Sequence, residues 1–187
     1  NSIPRLELSE PDYTDNFIRW SNEVGSDRRF YSVDIELQNK GLSVAKNCQP
    51  FLTAMGKKEN KRWTKVENWA PIGLQWLLTK DTERNEPYPE MRDLAPRCPY
   101  VFTLGSVWEG EINLFALERH RIPTGQAERF LPGEYCFEIT IFSSNAKPVV
   151  KYFKVVWNGC GTQEDIKNID QFKKYLVATM MRNHPWK

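Results

Sequence analysis

Between Tyr31 and Gln38 the side chains alternate strictly between apolar and polar types, and this period of two restricts the fold more than any other feature. The apolar positions are Tyr31, Val33, Ile35 and Leu37, and the polar positions are Ser32, Asp34, Glu36 and Gln38. Successive side chains of a strand point to opposite faces, so the pattern predicts a strand buried on one face. It stops at Asn39-Lys40-Gly41, where Asn39 and Gly41 tolerate a positive φ and therefore predict a turn.

A second strand is predicted directly after this turn. Its inward-facing residues would be Ala45, Cys48, Pro50, Leu52 and Ala54. They share a face only if a β-bulge lies near Asn47. Because Pro50 has no N–H to donate, the strand is expected to lie at an edge or to be irregular there. Cys48 is interpreted as a small buried hydrophobic residue, which makes its role structural.

Further strands are predicted at 5–10, 100–108, 111–117, 131–142 and 149–157. The clearest is 131–142, which begins with a Pro-Gly turn at Gly133 and then alternates. Its inward-facing residues would be Tyr135, Phe137, Ile139 and Ile141. Short strands of this kind, each bounded by turn residues, favour a mainly β protein built as an antiparallel β-sandwich.

The chain is interpreted in three parts. Residues 1–28 would form an edge strand and an irregular segment, 29–160 the sandwich with a long insertion at about 56–96, and 161–187 a helix and tail packed on it. The helix is predicted over 163–182, because apolar residues recur there at helical spacing. Two uses of the helix stay open: packing on its own sandwich, or a homodimer or membrane-proximal contact through Met180 and Met181.

Two segments together resemble a known family. The segments 28–55 and 130–157 are similar to the immunoglobulin-like β-sandwiches of bacterial and archaeal proteins, including cell-adhesion-related bacterial domains and domains of uncharacterised membrane-linked proteins. The positions that carry the resemblance are Asn39, Gly41, Ala45, Asn47, Pro132, Gly133 and Tyr135. The resemblance implies a binding or spacer module, often next to a membrane segment.

The resemblance also directs attention to two neighbouring residues. Cys136 follows Tyr135 directly and so projects from the opposite face, where an antibody-type disulfide could not form. Tyr135 either fills the core or also ties its hydroxyl to the backbone as a tyrosine corner.

Composition and charge exclude little but set the background. The chain has 26 Lys and Arg against 24 Asp and Glu, a net charge of +2, which is too even to indicate an obligatory nucleic-acid or anionic-membrane partner. The four cysteines contain no Cys-x-x-Cys pair, so a zinc ribbon is not expected. Free thiols are expected, which favours the cytoplasm or the cytoplasmic face of a membrane, and two disulfides would instead favour export. Since the first residue is Asn1 and not Met, we expect an upstream segment. A membrane tether, if the protein has one, would lie in that segment.

The sequence does not predict an enzyme. Its two histidines, His120 and His184, lie in a charged loop and in the tail, and no nucleophile elbow or phosphate-binding glycine loop accompanies them. Neither a cofactor nor a metal is expected. A hydrolase is kept as the weakest alternative, which a bound metal or a hyperreactive thiol at Cys98 or Cys160 would revive.

The favoured function is a non-enzymatic recognition module of a larger, membrane-tethered or free prokaryotic protein, which presents strand edges and loops to a partner protein. The alternative is a sensor for a nucleic acid or an anionic ligand. Its candidate binding residues are Lys57, Lys58, Lys61, Arg62, Trp63 and Lys65, which combine positive charge with an aromatic ring.

Overall fold

The computed structural model describes residues 3–18, 28–77, 91–108, 115–117, 129–160 and 169–186. Most of its secondary structure is β. The strands are β1 (Leu6–Leu8), β2 (Asp12–Ile18), β3 (Arg28–Asn39), β4 (Ala45–Glu59), β5 (Arg62–Lys65), β6 (Ile72–Gly73), β7 (Gln75–Trp76), β8 (Arg92–Leu94), β9 (Pro99–Trp108), β10 (Phe115–Leu117), β11 (Arg129–Phe130), β12 (Gly133–Phe142), β13 (Val149–Trp157) and β14 (Leu176–Met181). The helix described is α1 (Ile169–Tyr175).

The strands form two antiparallel sheets. In sheet 1 the order is β1-β3-β9-β10-β11, with β2 also pairing with β3 and β7 with β9. In sheet 2 the order is β14-β13-β12-β4-β5, with β6 and β8 also pairing with β4. Among the described residues each sheet contains seven strands, and the predicted mainly β architecture of two antiparallel sheets is confirmed.

The core lies between the sheets and follows the predicted alternation. Val33, Ile35 and Leu37 of β3 are fully buried, as are Phe137 and Ile139 of β12. Because these side chains lie on the inner faces of the two sheets, they form one continuous apolar interior. The helix α1 contributes to the same core: its Phe172 is fully buried and stacks on Tyr31, with ring centroids 4.8 Å apart.

The irregularity expected in β4 is present. Asn47 has a positive φ of 52°, and the pairing of β4 with β8 shifts between Ala45 and Cys48. A second irregularity was not predicted: Thr53 is the extra residue where the register of β4 against β12 shifts, so that Leu52 and Met55 both reach the core. This shift moves the even-numbered positions beyond it, including Gly56, to the outer face of sheet 2.

Two segments expected to be irregular form strands. Residues 12–18, inside the predicted irregular segment 11–28, pair with β3 as β2. The sequence of β2 has no clear apolar alternation. Among the described strands β2 pairs only with β3, so it lies at the edge of sheet 1. The described parts of 56–96, expected as an insertion, complete β4 and add β5 to β8 to the sheets. Residues 78–90 of that stretch, and residues 111–114 of the strand predicted at 111–117, lie outside the described residues.

The predicted helix over 163–182 is wrong in its second half. Residues 169–175 are helical, but 176–181 form β14, which pairs with β13 from Trp157↔Leu176 to Tyr152↔Met181. Leu176, Ala178 and Met180 satisfy a period of two as well as a helical one, and the neighbouring strand decides between them. Met180 packs against the core, and Met180 and Met181 belong to β14 and not to a helix. No helix described here has the length and apolar character that crossing a membrane requires.

The outer edge of β14 is closed by side chains of the N-terminal region. The Tyr13 hydroxyl accepts a hydrogen bond from the Ala178 backbone N–H at 2.7 Å, and the Glu10 carboxylate accepts one from Met180 N–H at 2.8 Å. These contacts take the donors that an edge strand would otherwise offer to another chain.

The turn after β3 is stabilised by side-chain hydrogen bonds and not by the positive φ values that the sequence predicted. Neither Asn39 nor Gly41 has a positive φ. Instead, the fully buried Asn39 side chain accepts from the N–H groups of Arg5 and Gly41 and donates to the carbonyls of Ser43 and Leu94. Gly41 is needed because a Cβ there would lie 2.7 Å from the backbone of residues Ile3 and Arg5.

Candidate functional site

The candidate binding residues lie on one β-hairpin, formed by the end of β4 and by β5. Asn60 and Lys61 have φ values of 49° and 66°, the pair of positive values that a two-residue type I′ turn requires. Lys58 pairs with Trp63 and Gly56 with Lys65. We call residues 57–65 the basic hairpin.

The alternation of the strands divides the cations of the basic hairpin between two faces. Lys58, Trp63 and Lys65 project from the outer face of sheet 2, while Lys57 and Arg62 project from the other face and Lys61 lies at the tip. The residues predicted to surround Trp63 therefore do not form one flat platform. They form a ribbon that is positively charged on both sides.

Lys58 is already engaged within the protein. Its Nζ lies 2.9 Å from the Glu134 carboxylate and 5.8 Å from the centroid of the Trp63 ring. Lys154 approaches the same carboxylate at 3.1 Å, and hydrogen bonds from Lys58 and then Lys154 lower the pKa of Glu134. Lys58 thus ties the hairpin to β12 and covers one face of Trp63.

The other cations point into solvent. Lys61, Arg62 and Lys65 are exposed, and none has a carboxylate within ion-pair distance among the described residues. Lys57 lies 3.9 Å from Glu59, with about half of each side chain exposed (51% and 58%). Exposed pairs of this kind are weak, so the hairpin keeps most of its positive charge available.

The predicted structural residues lie away from the hairpin tip. Cys48 is fully buried, and burial raises the pKa of its thiol. Tyr135 is buried, and its hydroxyl donates a 2.6 Å hydrogen bond to the Leu131 carbonyl four residues upstream. Gly133 lies against the Tyr135 side chain, because a Cβ there would be 3.2 Å from the hydroxyl oxygen and 3.3 Å from two ring carbons. All four cysteines are free thiols, with Cys98 exposed and the other three buried.

The outer face of sheet 2 carries a second group of residues that the sequence did not indicate. Cys136, predicted to project from the face opposite Tyr135, is fully buried there, with its Sγ 3.4 Å from the Met181 Sδ. Thr53 donates to the Glu138 carboxylate at 2.8 Å, and the Tyr152 hydroxyl also hydrogen bonds to Glu138. Recognising 176–181 as a strand would have predicted this group, because the outward-facing residues of that strand lie beside those of β13 and β12.

An acidic cleft lies on the outer face of sheet 1. It has a volume of about 450 Å³, and its lining includes Glu10, Asp12, Asp34 and Glu36. Asp34 is 4% exposed and accepts hydrogen bonds from Thr14, Ser32 and Thr103 at 2.6 to 3.1 Å. Because these hydroxyls satisfy the carboxylate, Asp34 fastens β2 and β9 to β3. In the part of the chain that the structure describes, no three His, Cys, Asp or Glu side chains are grouped to hold a metal, and His120 lies outside that part.

Stability is expected to fall in alkali because buried acids on the outer face of sheet 2 resist ionisation. Desolvation and then the nearby Glu138 raise the pKa of Cys136 to about 12 from 9.0, and desolvation with Glu138 raises the pKa of Tyr152 to about 12 from 10.0. The unfolded chain therefore releases protons at lower pH than the folded one, and the stabilisation is complete below about pH 9 and decreases toward pH 12. Urea unfolding at pH 7, 9 and 10.5 measures this. Cys136→Ala should flatten the decrease above pH 9, and an identical pH profile in that variant would contradict the assignment.

Comparisons with known proteins add little. No family model matches the chain, and no curated protein matches it. A solved structure described as the X-ray structure of Northeast Structural Genomics Consortium target SoR45 is similar to it, with 10% identity over 88% of this chain and 93% of that chain. The TM-score is 0.32, so nothing about fold or function is argued from this likeness.

Proposed function

We propose that this chain is a non-enzymatic recognition module of a larger prokaryotic protein, with an immunoglobulin-like sandwich, and that it binds an extended acidic segment of a partner protein along β5. Two features support the immunoglobulin-like assignment: the two antiparallel sheets, and the tyrosine-corner hydrogen bond from Tyr135 to the Leu131 carbonyl.

The observation that carries the proposal is the contrast between the two edges of sheet 2. The edge at β14 is closed by Tyr13 and Glu10, whereas β5 pairs only with β4 among the described residues. An open edge strand is a template for strand addition, in which backbone hydrogen bonds supply affinity and side chains supply specificity.

The register of the hairpin identifies the backbone groups that are open. In a two-residue hairpin the pair next to the turn, Glu59 and Arg62, exchanges hydrogen bonds, and hydrogen-bonded pairs then alternate along the ladder. The bond from Val66 N–H to the Met55 carbonyl, 2.8 Å long, fits this alternation. Trp63 and Lys65 accordingly direct their N–H and C=O groups away from β4.

The charge of the hairpin specifies the partner. Lysines along an edge repel a second copy of the same edge, which protects the protein from self-association. A segment with Glu or Asp on both faces of its strand would reverse this repulsion and place one carboxylate beside Lys65 on the outer face and another beside Arg62 on the other face. An acidic, extended segment is therefore the partner of matching shape and charge.

Binding of single-stranded nucleic acid is the second candidate, favoured by the combination of Trp63 with five cations. A base would need a free face of the indole on which to stack. Since Lys58 lies over the Trp63 ring and is held by Glu134, and the cations occupy both faces of the ribbon, the geometry supports the acidic segment better.

The test uses the full chain at low salt and a β-prone peptide that carries glutamates on both faces of its strand. We expect the double variant Arg62→Glu, Lys65→Glu to weaken binding on the order of tenfold or more. The difference in affinity from the unmodified chain should be smaller at high salt, because salt screens the charges. The control Lys46→Glu, Lys147→Glu makes the same charge change at exposed positions away from the hairpin and should retain binding. Absence of peptide binding would contradict the proposal, and tighter binding of an oligonucleotide that Trp63→Ala abolishes would replace it with the second candidate.

A further inference from the structure

After β14 the chain turns back over the outer face of sheet 2. We call residues 182–186 the strap. The His184 ring lies 4.6 Å from the Tyr152 ring, centroid to centroid, and its Nδ1 accepts a 3.2 Å hydrogen bond from the Trp186 backbone N–H. The strap thereby delivers the Trp186 indole to Gly56, on β4 at the base of the basic hairpin.

The indole fits there only because residue 56 has no side chain. A Cβ on Gly56 would lie 2.2 and 2.3 Å from two ring carbons of Trp186 and 2.9 Å from the Thr64 carbonyl oxygen. Gly73, in the neighbouring strand β6, has no such restriction, since its Cβ would meet nothing closer than 3.4 Å. The surface above Gly56 is therefore a recess that holds a flat ring, whereas the surface above Gly73 is not.

The occupant of this recess is incompletely bonded. The indole Nε1 of Trp186 is buried and has no hydrogen-bond partner among the described residues. A buried N–H without a partner loses its bond to water and gains none in return, which weakens docking of the strap by about tenfold or more. The recess itself fits a ring, but this particular ring carries a penalty there.

We propose that the recess over Gly56 is a binding seat for an aromatic side chain, filled in this structure by the chain's own Trp186 and vacated when the strap lifts. The external ligand would be a flat aromatic group of indole size. Because Gly56 pairs with Lys65, an aromatic residue of a segment lying along β5 would reach the seat. This last step rests on the proposed function, whereas the seat itself is tested without any partner.

Cys136 reports the state of the strap. It pairs with Gly56 across β4 and β12 and is fully buried on the same outer face. Cys48 and Cys160 are buried in the core between the sheets, so their labelling serves as the reference for opening of the core, and Cys98→Ser removes the exposed thiol. If the strap lifts alone, Cys136 should react with a thiol reagent about tenfold faster than the other two. Equal reaction rates for all three thiols would overturn the proposal.

The seat is then tested with free indole. In Trp186→Ala, we expect added indole to slow the labelling of Cys136 several-fold and to raise the Tm. Adding Gly56→Ala to that variant should abolish both effects, because the new methyl group fills the recess, while adding Gly73→Ala instead should leave both. No response of Trp186→Ala to indole, or the same response in both double variants, would overturn the seat. The peptide experiment on β5 can fail independently of this result.

Discussion

Replacing Asn39 by alanine is expected to lower the free energy of unfolding by about 3 to 4 kcal/mol. The side chain is fully buried and joins three parts of the chain through its amide: the N-terminal strand at Arg5, the turn at Gly41 and Ser43, and β8 at Leu94. Alanine leaves two N–H groups and two carbonyls without these partners, and water can reach only some of them. Urea unfolding followed by circular dichroism measures the change.

Asn158→Ala is the matched control, because Asn158 is an exposed asparagine directly after β13, whereas Asn39 is the buried last residue of β3. Its effect should stay within about 0.5 kcal/mol. If Asn39→Ala lowers the free energy of unfolding by less than about 1 kcal/mol, the amide hydrogen bonds do not hold the three parts of the chain together as described.

Phe137→Ala is expected to cost about 3 to 5 kcal/mol of unfolding free energy. Phe137 is fully buried, and its ring lies between 5.5 and 6.4 Å from those of Phe115, Phe130 and Tyr135. Removing it leaves a cavity where both sheets meet. The same urea measurement gives the value.

Phe142→Ala, five residues further along β12, supplies the comparison. Phe142 is 44% exposed on the outer face, so its truncation should cost about 1 kcal/mol or less. Similar losses for the two variants would contradict the assignment of inner and outer faces along β12.

The strands that could be predicted are those whose own residues alternate between buried and outward-facing positions. In β3 from Tyr31 to Leu37 and in β12 from Tyr135 to Ile141, one face meets the core, and the period of two is therefore visible in the residues themselves. The bulge at Asn47 was predictable for the same reason, because the inward residues on its two sides are out of phase. β2 was not, since an edge strand with polar side chains lacks the alternation.

The rest depends on contacts between distant parts of the chain. Leu176 to Met181 could be helix or strand by their own pattern, and pairing with β13 makes them a strand. Which cations of the basic hairpin lie on the outer face of sheet 2 depends on the extra residue Thr53, whose presence only the register against β12 reveals. The contact of Trp186 with Gly56 joins positions 130 residues apart, and neither residue alone indicates the other.

Amide hydrogen exchange with and without the acidic peptide tests the central claim, that β5 is the open edge to which a partner strand adds. The N–H groups of Trp63 and Lys65 should gain protection on binding, while those of Ala178 and Met180, already bonded to Tyr13 and Glu10, should not change. Protection gained at β14 and not at β5, or peptide binding with no change at Trp63 and Lys65, would contradict the account.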